Sequence, residues 1–486
     1  MKKILIMSVA VLVFVVLLFV GINLVDSSRA RLDIGVEVDD SSLASFSKSV
    51  ASVPSYERNN GFFRLWSLTE PVNVDIEAEE IFLKYRRLCD PQFDNEKYIK
   101  EWGAGKENFV AGEKFKGQYT RFSQLRLELL KKYGTFDSFA ISKEGDWAQF
   151  LLTVKPVALE LKQLSGVYLE RYEKVVTSPI LIESTLIRKD PLVPHLLAWL
   201  QQARLYNIDK MLEAMEGNWE SGVSKLLLHV EMAKKAVKGS RTMIYNLIAK
   251  AVMRESLHAL ASLMNQPEFP DTLYDKIIQG LPVLSYEEFG TRVPLLWEGF
   301  LFTQSEQGGL FYQKNRTRQY YYNFLSQLVN SETTPPFMWK SVPLEYRVKK
   351  GFFWWLQNPA GKAEFEKNIR SDSYRNLFTT VFKAYSLKAT YDMVRISAEL
   401  HKQYNIENNS INNQVTAKKS VPELLQGLET YRSWVDACTG LPYRWNEQKQ
   451  ILYSFGVDRN DDGGKVDRSS MDTDIPVPVV LYIKNK

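Results

Sequence analysis

The chain has 486 residues, with 62 Lys and Arg against 57 Asp and Glu and a net charge of +5. That near-balance, with no basic block or stripe, argues against a nucleic-acid partner. Hydrophobic residues at 45% and aromatics at 13% exclude a disordered chain and predict a sizeable globular core.

The first element follows Lys2 and Lys3. Residues 4–25, ILIMSVAVLVFVVLLFVGINLV, carry no charge. As a helix the run spans ~33 Å at ~1.5 Å per residue, the thickness of a bilayer core. No Ala-x-Ala cleavage site follows, which predicts an uncleaved signal anchor; a removed leader is the alternative. Lys2 and Lys3 would stay in the cytoplasm, although Arg29 and Arg31 oppose that orientation somewhat. The expected protein is therefore single-pass in the bacterial inner membrane, with its bulk in the periplasm. No second span is expected: FFWWL near Gly351 is too short.

Residues 26–60 read as a Ser- and Asp-rich juxtamembrane stalk. Residues 59–71, NNGFFRLWSLTEP, read as an aromatic segment laid on a core. A helix is predicted over 75–87, with its acids early and its arginines late. Further helices are expected over 124–133 and 147–172. Residues 191–239 form a helical hairpin broken at Gly217-Asn218, with Gly239 as a left-handed cap. A third helix over 244–264 ends at Pro267 and Pro270. No 34-residue period continues, so the middle is expected to be an irregular antiparallel helical stack rather than a tetratricopeptide array. The aromatic clusters over 299–357, including Tyr320 to Tyr322 and Phe352 to Trp355, read as core and rim; an exposed partner surface is the sharper alternative.

Few residues suggest catalysis. The four histidines, His195, His229, His258 and His401, form no His-Glu-x-x-His pair, and His229 and His258, each within an amphipathic helix, read as boundary residues rather than ligands. No nucleophile elbow or phosphate-binding Gly-rich loop occurs. Glu79-Glu80 and Glu287-Glu288 could supply a glycosidase-like carboxylate pair, but neighbouring acids on a helix diverge by about 100°, which favours a solvated face. Cys89 and Cys438 could form a disulfide in an oxidising compartment, or remain two unrelated thiols.

The C-terminal part predicts a helix over 388–404, a polar linker over 405–413 and a short helix over 420–431. A hairpin pairs 443–445 with 451–455, and 475–483 reads as an edge strand because of Pro476 and Pro478. Its motif residues are Leu424, Leu425, Leu428, then Asp436, Gly440, Pro442 and Tyr443 to Trp445, then Leu452, Tyr453, Ser454, Gly456 and Asp458. This pattern resembles the terminal module of uncharacterised membrane-anchored periplasmic bacterial proteins and, distantly, the C-terminal end of type II secretion major pseudopilins. Ala437 and Cys438 depart from it, and the amino-terminal pseudopilin cleavage site and stem Glu are missing. The resemblance implies a calcium loop in the tail. Asp458, Asn460 and Asp462 offer oxygen ligands at alternate positions before Gly463, with Asp467, or Asp472 and Asp474, to complete the shell. Ser469 stands where an EF-hand has Glu, and an acidic turn without metal is the other reading.

The expected fold is mostly α: an anchor over 1–25, a stalk over 26–60, a helical periplasmic domain over 61–385 and a small α+β pseudopilin-like module over 386–486. The function expected first is a non-catalytic envelope scaffold that binds a protein partner. The alternatives are a periplasmic enzyme or carbohydrate-binding protein using acids in a helical cleft, and an accessory protein of a secretion or pilus system.

Overall fold

The computed structural model describes residues 31–33, 37–39, 59–70, 73–88, 147–184, 193–296, 312–338, 358–369, 372–411, 419–456, 459–465 and 475–478. The anchor run 4–25, the helix expected over 124–133, Cys89, Phe352 to Trp355, Asp458, Asp467, Asp472 and Asp474 lie outside them. Among the described residues no helix is long and apolar enough to cross a membrane. The chain divides into two compact units, one of residues 1–53, 187–189 and 291–382, the other of residues 54–186, 190–290 and 383–486.

In the first unit Arg31–Asp33 (β1) and Glu37–Asp39 (β2) pair antiparallel within the segment expected to be only a stalk. Lys314–Thr333 (α8) and Pro359–Ile369 (α9) pack together. Tyr321 and Tyr322 are buried, and both Tyr320 and Tyr321 lie against the ring of Phe365, at 5.6 and 5.1 Å between centroids. The described part of this aromatic cluster is therefore core and rim. Asn358 joins the two helices: its amide accepts from the Gln313 backbone at 2.8 Å and donates to the Thr317 hydroxyl at 2.9 Å.

The second unit is built on Trp147–Val176 (α3), Leu196–Met215 (α4), Trp219–Lys238 (α5) and Met243–Met264 (α6), each packed on its neighbours in an antiparallel bundle. Apolar residues at helical spacing give each helix a buried face: Met211 and Ala214 on α4, Val223, Leu226 and Ala233 on α5, Ala249, Met253 and Leu260 on α6. Gly217 turns the α4–α5 hairpin with φ +105°, a conformation glycine adopts without cost. Gly61–Trp66 (α1) is the expected docked aromatic segment. Asn60 caps it through its side chain and also bonds the backbone of Ile182 in both directions, accepting at 3.0 Å and donating at 2.7 Å. Glu79–Leu88 (α2) starts four residues later than expected, because the Asp75 side chain accepts from the Glu77 backbone and forms a turn first.

Gly239 corrects the expectation of a left-handed cap. Its φ is −85°, and its role is close approach: a Cβ there would lie 2.2 Å from the Leu181 carbonyl oxygen and 2.9 Å from the Ile182 Cα. Because backbone cannot swing aside as a side chain can, Gly239→Ala is expected to lower stability by about 2 kcal/mol, measured by urea denaturation.

Thr272–Gly280 (α7) and the short turn Tyr286–Phe289 lead onward, and Asp372–Ile411 (α10) supplies residues from Lys383 on to this unit. The helix runs through 405–411, where a polar linker was expected. Local Asn content loses here to a tertiary contact, Asn405 to Asp271 at 2.9 Å, and to the i,i+4 bond of Gln403 to Glu407 at 3.1 Å within the helix. The expected 420–431 helix splits at Leu428, whose ψ of 126° is extended, into Val421–Gly427 (α11) and Glu429–Ser433 (α12). A capping box between Ser420 and Glu423 starts the first of these. The tail ends in a three-stranded antiparallel sheet, Arg444–Asn446 (β3), Ile451–Ser454 (β4) and Ile475–Pro478 (β5), in the order β3-β4-β5. The hairpin register pairs Trp445 with Leu452, and β5 is the expected proline-bearing edge.

Candidate functional site

Three polar constellations stand out in the second unit. The first lies at the centre of the bundle. Residues on the buried faces of α3, α4, α5 and α6 place Tyr172, Asn207, His229 and Ser256 together, each 3% exposed or less. His229 Nδ1 lies 2.7 Å from Asn207 Oδ1, and Nε2 lies 2.7 Å from the Tyr172 hydroxyl. An amide oxygen only accepts, so these partners assign Nδ1–H as donor and Nε2 as acceptor from the Tyr172 O–H. Trp199 Nε1 donates to the same Tyr172 oxygen at 3.2 Å. The Ser256 hydroxyl, 2.9 Å from His229 Nδ1, donates to the Val252 carbonyl at 2.9 Å. Burial holds His229 down to about 3 and pushes the Tyr172 hydroxyl well up.

A serine, a histidine and an asparagine in contact invite comparison with a nucleophilic triad. Here the residues are enclosed and the Tyr172, His229 and Ser256 donors are already committed, so the group acts as a polar pin between four helices. His229 and His258 are thus deep core residues, not the boundary residues expected from sequence. Burial also holds His258 down to about 3, reinforced by the nearby Arg254 charge. The remaining two also serve architecture: His195 Nδ1 caps α4 by accepting from the Ala198 backbone, and His401 stacks on Tyr274 at 5.3 Å and bonds Asn265.

Sequence reasoning missed the second constellation, at the start of α6. Glu183 is fully buried, and its carboxylate accepts from the backbone of Arg241 at 2.6 Å, the backbone of Thr242 at 2.7 Å and the Thr242 hydroxyl at 2.6 Å. The residue comes from a distant extended stretch, so no local capping pattern announces it. Arg171 does a similar service for backbone that follows α1. Its guanidinium donates to the carbonyls of Ser67, Glu70 and Val74 at 3.0, 2.7 and 3.0 Å, while burial lowers its affinity for the proton.

The third constellation joins the tail to α10. Lys388 donates to Asp392 at 2.6 Å one turn away, under the rings of Tyr286 and Trp434 at 5.4 and 5.2 Å. The Tyr443 hydroxyl donates to Asp392 at 2.9 Å. Burial pushes the Asp392 carboxyl up, against the pull of Lys388 and Tyr443. Beside it, Asp436 organises the tail itself, accepting from the Cys438 and Phe455 backbones at 2.9 and 3.0 Å and from the Ser454 and Thr439 hydroxyls at 2.8 and 3.3 Å. The motif residues Asp436, Tyr443 and Ser454 are therefore buried structural residues, Ser454 bonded to Asp436 within the tail and Tyr443 to Asp392 of α10. Cys438 is buried in the turn that Asp436 closes, and its expected disulfide partner lies outside the described residues.

Of the expected calcium ligands, Asn460 and Asp462 are described, and both are exposed. The carboxylate that shapes this loop is Asp461, which accepts from the Tyr453 hydroxyl and the Gly463 backbone, each at 2.9 Å. The Gly463 carbonyl accepts from Asn446 at 2.9 Å and Lys449 at 2.8 Å. Internal donors thus occupy Asp461 Oδ1 and the Gly463 carbonyl, and among the described residues, which do not include Asp458 and Asp467, no group of three or more His, Cys, Asp or Glu is placed to hold a metal ion. This wiring predicts that Asp461→Ala lowers the stability of the tail by about 1 kcal/mol equally with calcium and with chelator. A loss confined to calcium-loaded protein would instead assign the loop to the ion.

The two acid pairs sit at helix starts. Glu79 and Glu80 open α2, and Glu288 is committed to capping Ser285. Compared with protein-family models, curated proteins and solved structures, the chain matches none.

Proposed function

We propose that the protein is a single-pass, membrane-anchored component of the bacterial cell envelope, its bulk a non-catalytic periplasmic scaffold that binds a protein partner. The charge-free run 4–25 behind Lys2 and Lys3 supports the anchor and its orientation. One observation carries the scaffold reading. The side chains best suited to proton transfer or nucleophilic attack in the second unit, His229, Ser256, Tyr172, Glu183 and Asp392, are buried and bonded to other parts of the fold. Resemblance of the tail motif to pseudopilin ends adds a place in the envelope and brings no activity with it.

Alkaline carbonate extraction of membranes tests the anchor. The full chain is expected to remain in the pellet, and a chain lacking residues 4–25 is expected in the soluble fraction. Release of the full chain by carbonate would overturn the reading.

A further inference from the structure

The turn before β3 brings exposed apolar side chains together. Val435 and Pro442 face each other across an isolated antiparallel bridge, and the Asp436 backbone donates to the Leu441 carbonyl at 2.7 Å. Val435, Leu441 and Pro442 are all exposed, Leu441 at 49%. Next to Val435, the ring of the partly exposed Trp434 lies 5.4 Å from the Arg395 guanidinium, which also donates to the Leu281 carbonyl at 2.7 Å. Val283, two residues beyond Leu281, is 62% exposed. Single exposed apolar side chains are ordinary on a protein surface. A set drawn from two loops around a tryptophan has the composition of a binding face.

Two arginines accompany this strip. Arg432 stands in the last turn of α12, two residues before Trp434, and Arg444 opens β3, two residues after Pro442. Both are exposed, and among the described residues neither is ion-paired. Neighbouring acids are engaged elsewhere: Glu399 with Arg395 and Thr430, and Asp436 with the donors of the tail turn. The Phe455 ring, 5.7 Å from the Arg444 guanidinium, steadies that side chain. A guanidinium presents paired N–H groups that match the two oxygens of a carboxylate. Anionic lipid fits less well, because membrane surfaces are recognised by denser clusters of about 4–8 lysines and arginines.

We infer that the strip of Val283, Trp434, Val435, Leu441 and Pro442, with Arg432 and Arg444 beside it, docks an acidic segment of a protein partner, in which Asp or Glu side chains flank an apolar residue. The inference rests on the partner-binding reading above and gives that partner a chemistry and a seat.

Selection of displayed random peptides on the full chain in detergent tests it, with the affinity of each synthesised winner measured by fluorescence anisotropy. The recovered peptides are expected to carry Asp or Glu beside an apolar residue. Their affinity is expected to fall roughly tenfold in each of Arg432→Glu, Arg444→Glu and Leu441→Asp. All three positions are exposed, so urea midpoints should stay unchanged, and any one variant that folds suffices for the comparison. Peptides that bind the wild type and the variants alike would overturn this face while leaving the partner-binding reading in place. Recovery of no binding peptide would count against both. Displacement of the peptide by phosphatidylglycerol vesicles, but not by phosphatidylcholine vesicles, would assign the face to anionic lipid and overturn the inference.

Discussion

Glu183→Ala is expected to be among the most damaging single substitutions in the described structure, lowering the free energy of unfolding by about 3 kcal/mol. The carboxylate receives three hydrogen bonds at the start of α6, two from backbone amides that have no partner within the helix. Removing it strands the Arg241 and Thr242 amides in a buried position, and also removes negative charge from the positive end of the helix. Glu183→Gln retains an acceptor oxygen and should cost roughly half as much. Urea midpoints of the two variants check the order. Equal midpoints for wild type and Glu183→Ala would show that the α6 terminus is satisfied in some other way.

The second large effect is acid sensitivity. His229 and His258 are held down to about 3 by burial, whereas an unfolded histidine titrates near 6.5. The unfolded chain therefore binds protons that the folded chain refuses. The stability these neutral histidines contribute is complete above pH 6.5 and is lost as the pH falls from there toward 3. At pH 5 the deficit is about 1.5 pH units for each, or about 2 kcal/mol per histidine and about 4 kcal/mol together. Asp392, Asp436 and Glu255 are pushed up by burial and act in the opposite sense. The histidine contribution is accordingly read as a difference. Unfolding free energy should drop between pH 7.5 and pH 5 in the wild type and drop about 2 kcal/mol less in His258→Gln. An identical pH dependence in that variant would mean that His258 is reached by water.

The helical hairpin at Gly217, the helix that ends before Pro267, and the β3–β4 hairpin were legible because each is announced locally, by apolar spacing or by a turn residue. The polar interior was not. His229 falls three residues after Leu226 and four before Ala233, on the buried face of α5, and that position could have marked it as a core residue. Its partners Asn207 and Ser256 come from other helices, and only the packing brings them within reach. Glu183 and Arg171 serve backbone groups far away in sequence, so no short motif identifies them. Asp436 was visible as part of a motif, but its four donors show why the motif exists: it closes the tail turn and ties it to β4. In the terminal loop the turn is shaped by Asp461, between the expected ligands Asn460 and Asp462, through a bond from the Tyr453 hydroxyl that the spacing of acids does not announce.

The central claim, a chain anchored by residues 4–25 with its bulk outside the cytoplasm, is tested most directly by reporters fused after Lys486. Alkaline phosphatase, which needs an oxidising compartment, is expected to be active there, and a cytoplasm-dependent fluorescent protein exported by the same route is expected to be dark. A fluorescent fusion with an inactive phosphatase would place the bulk in the cytoplasm and contradict the account.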